Sequence, residues 1–223
     1  LIAPMLYLVR PGVGERIERF VRKGGTFVAT YWSGIVNEST LCFLGGFPGP
    51  LRTVLGIWSE EIDTLYEHDA NRVVMRKRNR LDLTGSYRVH TMCDLVHAEK
   101  ASVQATYGAD FYKGRPALTV NAFGKGEAWY IAARTDDRFL DAFYAALARR
   151  LKLPRALPAL PKGVKATVRT NGSKRYVFLM NFAKGKRRVS LGKTRFADML
   201  SGKKLSGSVE LPGYGVRVLK GES

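Results

Sequence analysis

Three groups of residues have types and spacings that invite chemistry. Glu60-Glu61-Ile62-Asp63 places three carboxylates within four positions. General acid/base work needs two carboxyl groups facing one bond, and neighbours on an extended segment point to opposite faces. This cluster is therefore expected to pair with surplus Arg and Lys. His90, Cys93 and His97 form H-x2-C-x3-H, a spacing with metal-ligand character. Tyr87 to Met92 reads as strand, which points His90 and Cys93 apart, and no fourth Cys or His completes a tetrahedral site. His97 is expected to be buried beside Asp94 and Glu99, and no metal is expected. The glycines of 108–114 and 124–126 lack the spacing of phosphate-binding loops, so no cofactor is expected either. Two cysteines, Cys42 and Cys93, make no disulfide framework and fit a cytoplasmic protein.

Charge bears on partners. The chain carries a net charge of +18, divided as +4 over residues 1–150 and +14 over residues 151–223. Arg76-Lys77-Arg78-Asn79-Arg80 and Lys184-Gly185-Lys186-Arg187-Arg188 are basic runs without an interleaved aromatic residue. Solvated basic faces are expected; a nucleic-acid module is the alternative that the charge keeps open. The longest apolar run is far short of the roughly 20 residues that span a bilayer, so no membrane partner is expected.

The elements that position these groups follow from periodicity. Ile2 to Val9 is expected to be a buried strand. Val13, Ile17, Phe20 and Val21 form one helical stripe over 13–23, ended by Gly24-Gly25. Thr26 to Tyr31 is apolar and β-branched, as a strand covered on both faces requires. Short strands are expected at 72–76 and 102–107, and a hairpin over 117–133 turns at Gly124-Lys125-Gly126. Asp136 to Leu151 reads as a helix, acidic at its start and basic at its end. Pro154, Pro158 and Pro161 break regular structure, so 153–162 is a linker. Beyond it come only short strands separated by Gly, Ser, Asn and Lys, with Asn171-Gly172 a hairpin turn. Residues 163–223 are therefore expected to form a small all-β antiparallel sandwich.

The stretch TFVATYWSGIVNE, followed by LCFLGGFPGPLRTVLGI, resembles the trimerisation domain of glycoside hydrolase family 42, the β-galactosidases. The likeness continues through Ile57 to Asp63, Cys93 to His97, Ala105 to Gly108, Phe111 to Ala117 and Gly124 to Ala132. Leu211 to Val216 resembles the last strand of that family's C-terminal β domain. The resemblance implies an α/β fold for 1–152: a partial flavodoxin-like, class I glutamine amidotransferase-like open sheet, incomplete at its start. It further implies a C-terminal piece of a longer protein that forms a homotrimer with a catalytic barrel. In the family, two barrel glutamates hydrolyse terminal β-galactosides with retention. A (β/α)8 barrel takes about 250 residues, so galactoside is expected to be met only through the parent enzyme.

On that reading Asn37-Glu38, which resembles the acid/base dipeptide of related barrels, is a solvated loop pair. Ser33 lies near the turn where an amidotransferase carries its nucleophile. Bulky Tyr31 and Trp32 replace the small residues of a G-x-S-x-G elbow, so a hydrolase using Ser33 is a further alternative. Trp32, Phe43, Phe47 and Trp58 sit in and after a loop where a solvated connection uses polar residues. They are the candidates for burial at subunit or barrel contacts.

Overall fold

A computed structural model describes residues 1–221 and divides the chain into two compact units, Leu1–Leu151 and Lys152–Ser223. In the first, β1 (Ile2–Ala3) leads to α1 (Val13–Arg22) and β2 (Thr26–Thr30). A 3-10 turn (Gly49–Leu51) then runs into α2 (Arg52–Leu55). There follow β3 (Ile57–Thr64), β4 (Asn71–Met75), β5 (Ser86–Ala98), β6 (Ser102–Tyr107), β7 (Pro116–Phe123), β8 (Gly126–Ile131), β9 (Ala133–Thr135) and α3 (Asp137–Arg150).

These strands make one mixed sheet in the order β1-β2-β8-β7-β6-β4-β5-β3. Only β1-β2 and β2-β8 pair in parallel; every other pairing is antiparallel. Ala132 alone separates β8, which pairs with β7, from β9, which pairs with β5. The pairings β8-β7-β6-β4-β5-β9 thus lead from one side of Ala132 to the other. The core holds Phe27, Tyr107, Tyr112, Trp129, Phe139 and Phe143, all fully buried.

α1 forms where its stripe dictates, burying Ile17 and Val21. Phe20 departs from the expectation: it is 41% exposed, with its ring lying over Gly25 and leaving no room for a Cβ there. The strand expected over 2–9 is cut to two residues. Pro4 follows at once, and Met5 turns into the left-handed region at φ 46. Side chains take over the pairing: Met5 N donates to Thr30 Oγ1 at 2.8 Å and Leu6 N to Ser33 Oγ at 2.9 Å. α3 begins on Asp136, which accepts from Phe139 N at 2.9 Å, an N-cap worth about 1 kcal/mol.

The second unit is an antiparallel five-stranded sheet in the order β10-β11-β14-β12-β13. It comprises β10 (Val164–Asn171), β11 (Lys174–Asn181), β12 (Arg187–Asp198), β13 (Lys204–Leu211) and β14 (Val216–Gly221). Its own core contains Val177, Leu179, Val189, Phe196, Leu211 and Leu219. Asn171 pairs with Lys174 across the expected turn, where Gly172 takes φ 57. The last two positions of the expected 163–223 unit lie outside the described residues.

Candidate functional site

The loop between β2 and the 3-10 turn is built on a strained exit. Trp32 leaves β2 at φ 56, a left-handed conformation that costs a bulky residue free energy. Asp94 of β5 holds it there: Asp94 Oδ2 accepts from Trp32 N at 3.0 Å and from the Tyr130 hydroxyl. Asp94 is 1% exposed and its Oδ1 has no partner. Burial pushes its carboxyl up from 3.8 to about 6, against the hydrogen bonds from Tyr130 and Trp32. The Trp32 ring meets Tyr7 at 5.2 Å.

Farther along, Gly34 at φ 66 lies so close to Pro48 that a Cβ would sit 2.1 Å from the Pro48 carbonyl oxygen. The two ends of the loop are thereby pinned together. Its tip is turned by Asn37, whose Oδ1 accepts from Ser39 N and Leu41 N. Asn37 is thus a turn residue, and Glu38 beside it is exposed.

The four aromatic candidates are all half-buried. Phe43 packs against the core and over Gly49. Phe47 offers its carbonyl to Ser59 N at 2.9 Å. Trp58 stacks on His97 at 4.8 Å, with the Arg52 guanidinium 5.9 Å from its ring. More exposed than any of them are Leu41 and Leu44, at 65% and 98%. In sequence, both leucines stand in the apolar run Leu41-Cys42-Phe43-Leu44, a signal less conspicuous than the loop's aromatic side chains.

Ser33 is not poised as a nucleophile. It is 1% exposed, and its Oγ donates to Thr30 O at 2.7 Å while accepting from Leu6 N. His97 is half-buried and bonds Glu60 at 2.7 Å, not Asp94 or Glu99. Glu60 also receives Arg115 at 2.7 Å, and hydrogen bonds from His97 and Arg115 hold its carboxyl below the ordinary range. Asp63 accepts from the Tyr112 hydroxyl at 2.7 Å. The acidic cluster is thus dispersed among separate partners. His90 is exposed while Cys93 is buried, and burial pushes the Cys93 thiol up to about 11. Among the described residues no group of three or more His, Cys, Asp or Glu could hold a metal ion.

A cleft of about 750 Å3 opens at the carboxyl ends of the parallel strands β1, β2 and β8. Tyr31, His90, Thr91, Arg134, Asp137 and Tyr144 line it. No local pattern brings these residues together, because β5, β9, α3 and the exit of β2 each contribute separately.

The family model described as the β-galactosidase trimerisation domain matches residues 1–154. The chain belongs to the β-galactosidase trimerisation-domain family. Behind that domain, the β-galactosidase C-terminal domain matches residues 163–221. β-Galactosidase Pbg of Clostridium perfringens is 52% identical over 99% of the chain, and β-galactosidase BglY of Alicyclobacillus acidocaldarius is 48% identical over the same share. The chain spans about a third (32%) of the length of each of these curated relatives. Among solved structures, the Bacillus circulans sp. alkalophilus β-galactosidase superposes with TM-score 0.93 at 45% identity, covering 99% of this chain and 32% of that one. The cold-adapted β-galactosidase of Rahnella sp. R3 gives TM-score 0.90 at 51% identity, covering 98% and 32%.

Proposed function

We propose that these residues are the oligomerisation and C-terminal portion of a β-galactosidase whose catalytic glutamates lie on a barrel elsewhere in the parent enzyme. The parent hydrolyses terminal β-galactosides with retention, works in the cytoplasm and assembles as a homotrimer. Residues 1–152 form the assembly domain, 153–162 a linker and 163–223 the β domain. The β1-β2-β8 segment with α1 is the parallel part of a flavodoxin-like, amidotransferase-like sheet. Among the described residues no helix is long and apolar enough to cross a membrane.

One observation carries the assembly reading: in a trimerisation-family domain, a pinned loop holds Leu41 and Leu44 out in solvent beside half-buried Trp32, Phe43 and Phe47. A rigid loop presenting large apolar groups matches a subunit contact. Light scattering tests it. The chain is expected at three times its monomer mass, and Leu44→Asp at a lower mass with unchanged circular dichroism. A wild-type monomer, or a Leu44→Asp trimer, removes this loop from the interface. Alongside, the parent is expected to cleave a chromogenic β-galactoside and the 223-residue chain to leave it intact.

A second reading, polyanion binding, gains from one feature. The sheet places aromatic residues between cations that the linear runs keep apart: Arg169 pairs with Tyr176, and Tyr176 with Lys220. The described carboxylates of this unit are already engaged, Asp198 by Arg217 at 2.5 Å and Glu210 by Lys186 at 3.1 Å. Retention of single-stranded oligonucleotide at physiological salt, lost in Tyr176→Ala, supports this reading; flow-through ends it.

A further inference from the structure

We propose that the cleft at the carboxyl ends of β1, β2 and β8 is a binding site for a neutral pyranose sugar. Its position is the first argument. In sheets with parallel strands, ligands lie outside the carboxyl ends of the strands, where the backbone turns away and side chains from several elements converge. Here Tyr31 directly follows β2, Arg134 and Thr135 belong to β9, His90 and Thr91 to β5, and Tyr144 to α3. A cleft of about 750 Å3 has room for one or two sugar rings.

The lining selects the chemistry. Tyr31 and Tyr144 are half-buried, and burial raises the hydroxyl of each, so both are neutral donors on flat apolar rings. Arg134 donates to Thr91 Oγ1 at 3.4 Å, which leaves most of its guanidinium donors to the cleft. Asp136 is occupied in capping α3, whereas Asp137 is exposed. Thr135 on the wall is 9% exposed, and its Oγ1 is buried without a partner just behind the cleft surface. Two aspartates against one arginine disfavour an anion, and no metal-binding group forms among the described residues. Aromatic faces with a carboxylate, a guanidinium and hydroxyls match a ring that is apolar on its faces and hydroxylated at its edge. The choice of galactose as the probe rests on the reading of the parent enzyme.

The test is a titration of the 223-residue chain with galactose, followed by amide chemical shifts and calorimetry. Saturable binding is expected in the millimolar range, with shifts at Tyr31, Thr91 and Arg134. Arg134→Ala and Tyr144→Ala should each weaken it about tenfold or more, with the unfolding midpoint and oligomeric mass unchanged. Lys174→Ala, at an exposed position of the second unit, should bind as wild type. Absence of saturation, shifts confined to other surfaces, or wild-type affinity retained in both cleft variants overturns the proposal. So does a cleft that becomes accessible only when Leu44→Asp separates the subunits, since another copy then fills it. Mass and parent activity are read separately, so an empty cleft in an active trimer leaves the functional reading standing.

Discussion

Asp94 shows how much one side chain can decide. A carboxylate with one oxygen unpartnered is costly to bury, yet it holds the left-handed Trp32 and the Tyr130 hydroxyl together. Its carboxyl titrates near 6 in the fold against 3.8 when unfolded. The folded state therefore binds the proton more tightly, so this residue's contribution is most favourable below about pH 4 and declines as pH rises toward 6. The rise corresponds to about 3 kcal/mol. Asp94→Asn should remove that dependence. In urea titrations from pH 4 to 7, the wild-type-minus-variant stability difference should slope across this window, and a flat difference would count against the assignment. In sequence Asp94 read as an acid inside the apolar run Cys93 to Val96 and as a neighbour of His97, which bonds Glu60 instead. Its partners, Trp32 and Tyr130, are remote in sequence, so nothing local named its task.

Among the elements, the β2 exit loop depends on backbone freedom at Gly34. Gly34→Ala adds a Cβ 2.1 Å from the Pro48 carbonyl oxygen at a φ that L-residues rarely adopt. A loss of about 2 kcal/mol or more is expected, read from thermal unfolding followed by tryptophan fluorescence. An equal midpoint would show that the loop ends are not pinned there. α1, α3 and the Gly124 and Asn171 turns could be read from the chain because caps, stripes and turn residues are local signals. The course of β5 could not. Its first half pairs with β4 and its second with β3, while β9 joins between them. Such pairings depend on residues distant in sequence. Ser33 was misleading for the same reason: its place after a strand suggested a nucleophile, while its partners, Leu6 N and Thr30 O, make it a splice for the strand that Pro4 interrupts.

For the whole molecule, the two units have separate hydrophobic cores. All three tryptophans, Trp32, Trp58 and Trp129, lie in the unit Leu1–Leu151. Tryptophan fluorescence therefore reports the first unit, and far-ultraviolet dichroism reports both. Urea unfolding is expected to give two midpoints, with the dichroism curve broader than the fluorescence curve. Coincident curves would mean that the units melt as one. The pairing order also shapes how the protein is made. Val28 of β2 finds its partner in Trp129 of β8. On the ribosome, the apolar stretch Thr26 to Thr30 thus leaves the exit tunnel long before the strand that covers it has been translated. During that interval the nascent chain exposes a sticky segment, and the yield of soluble product should depend on translation speed and on chaperones that shield it.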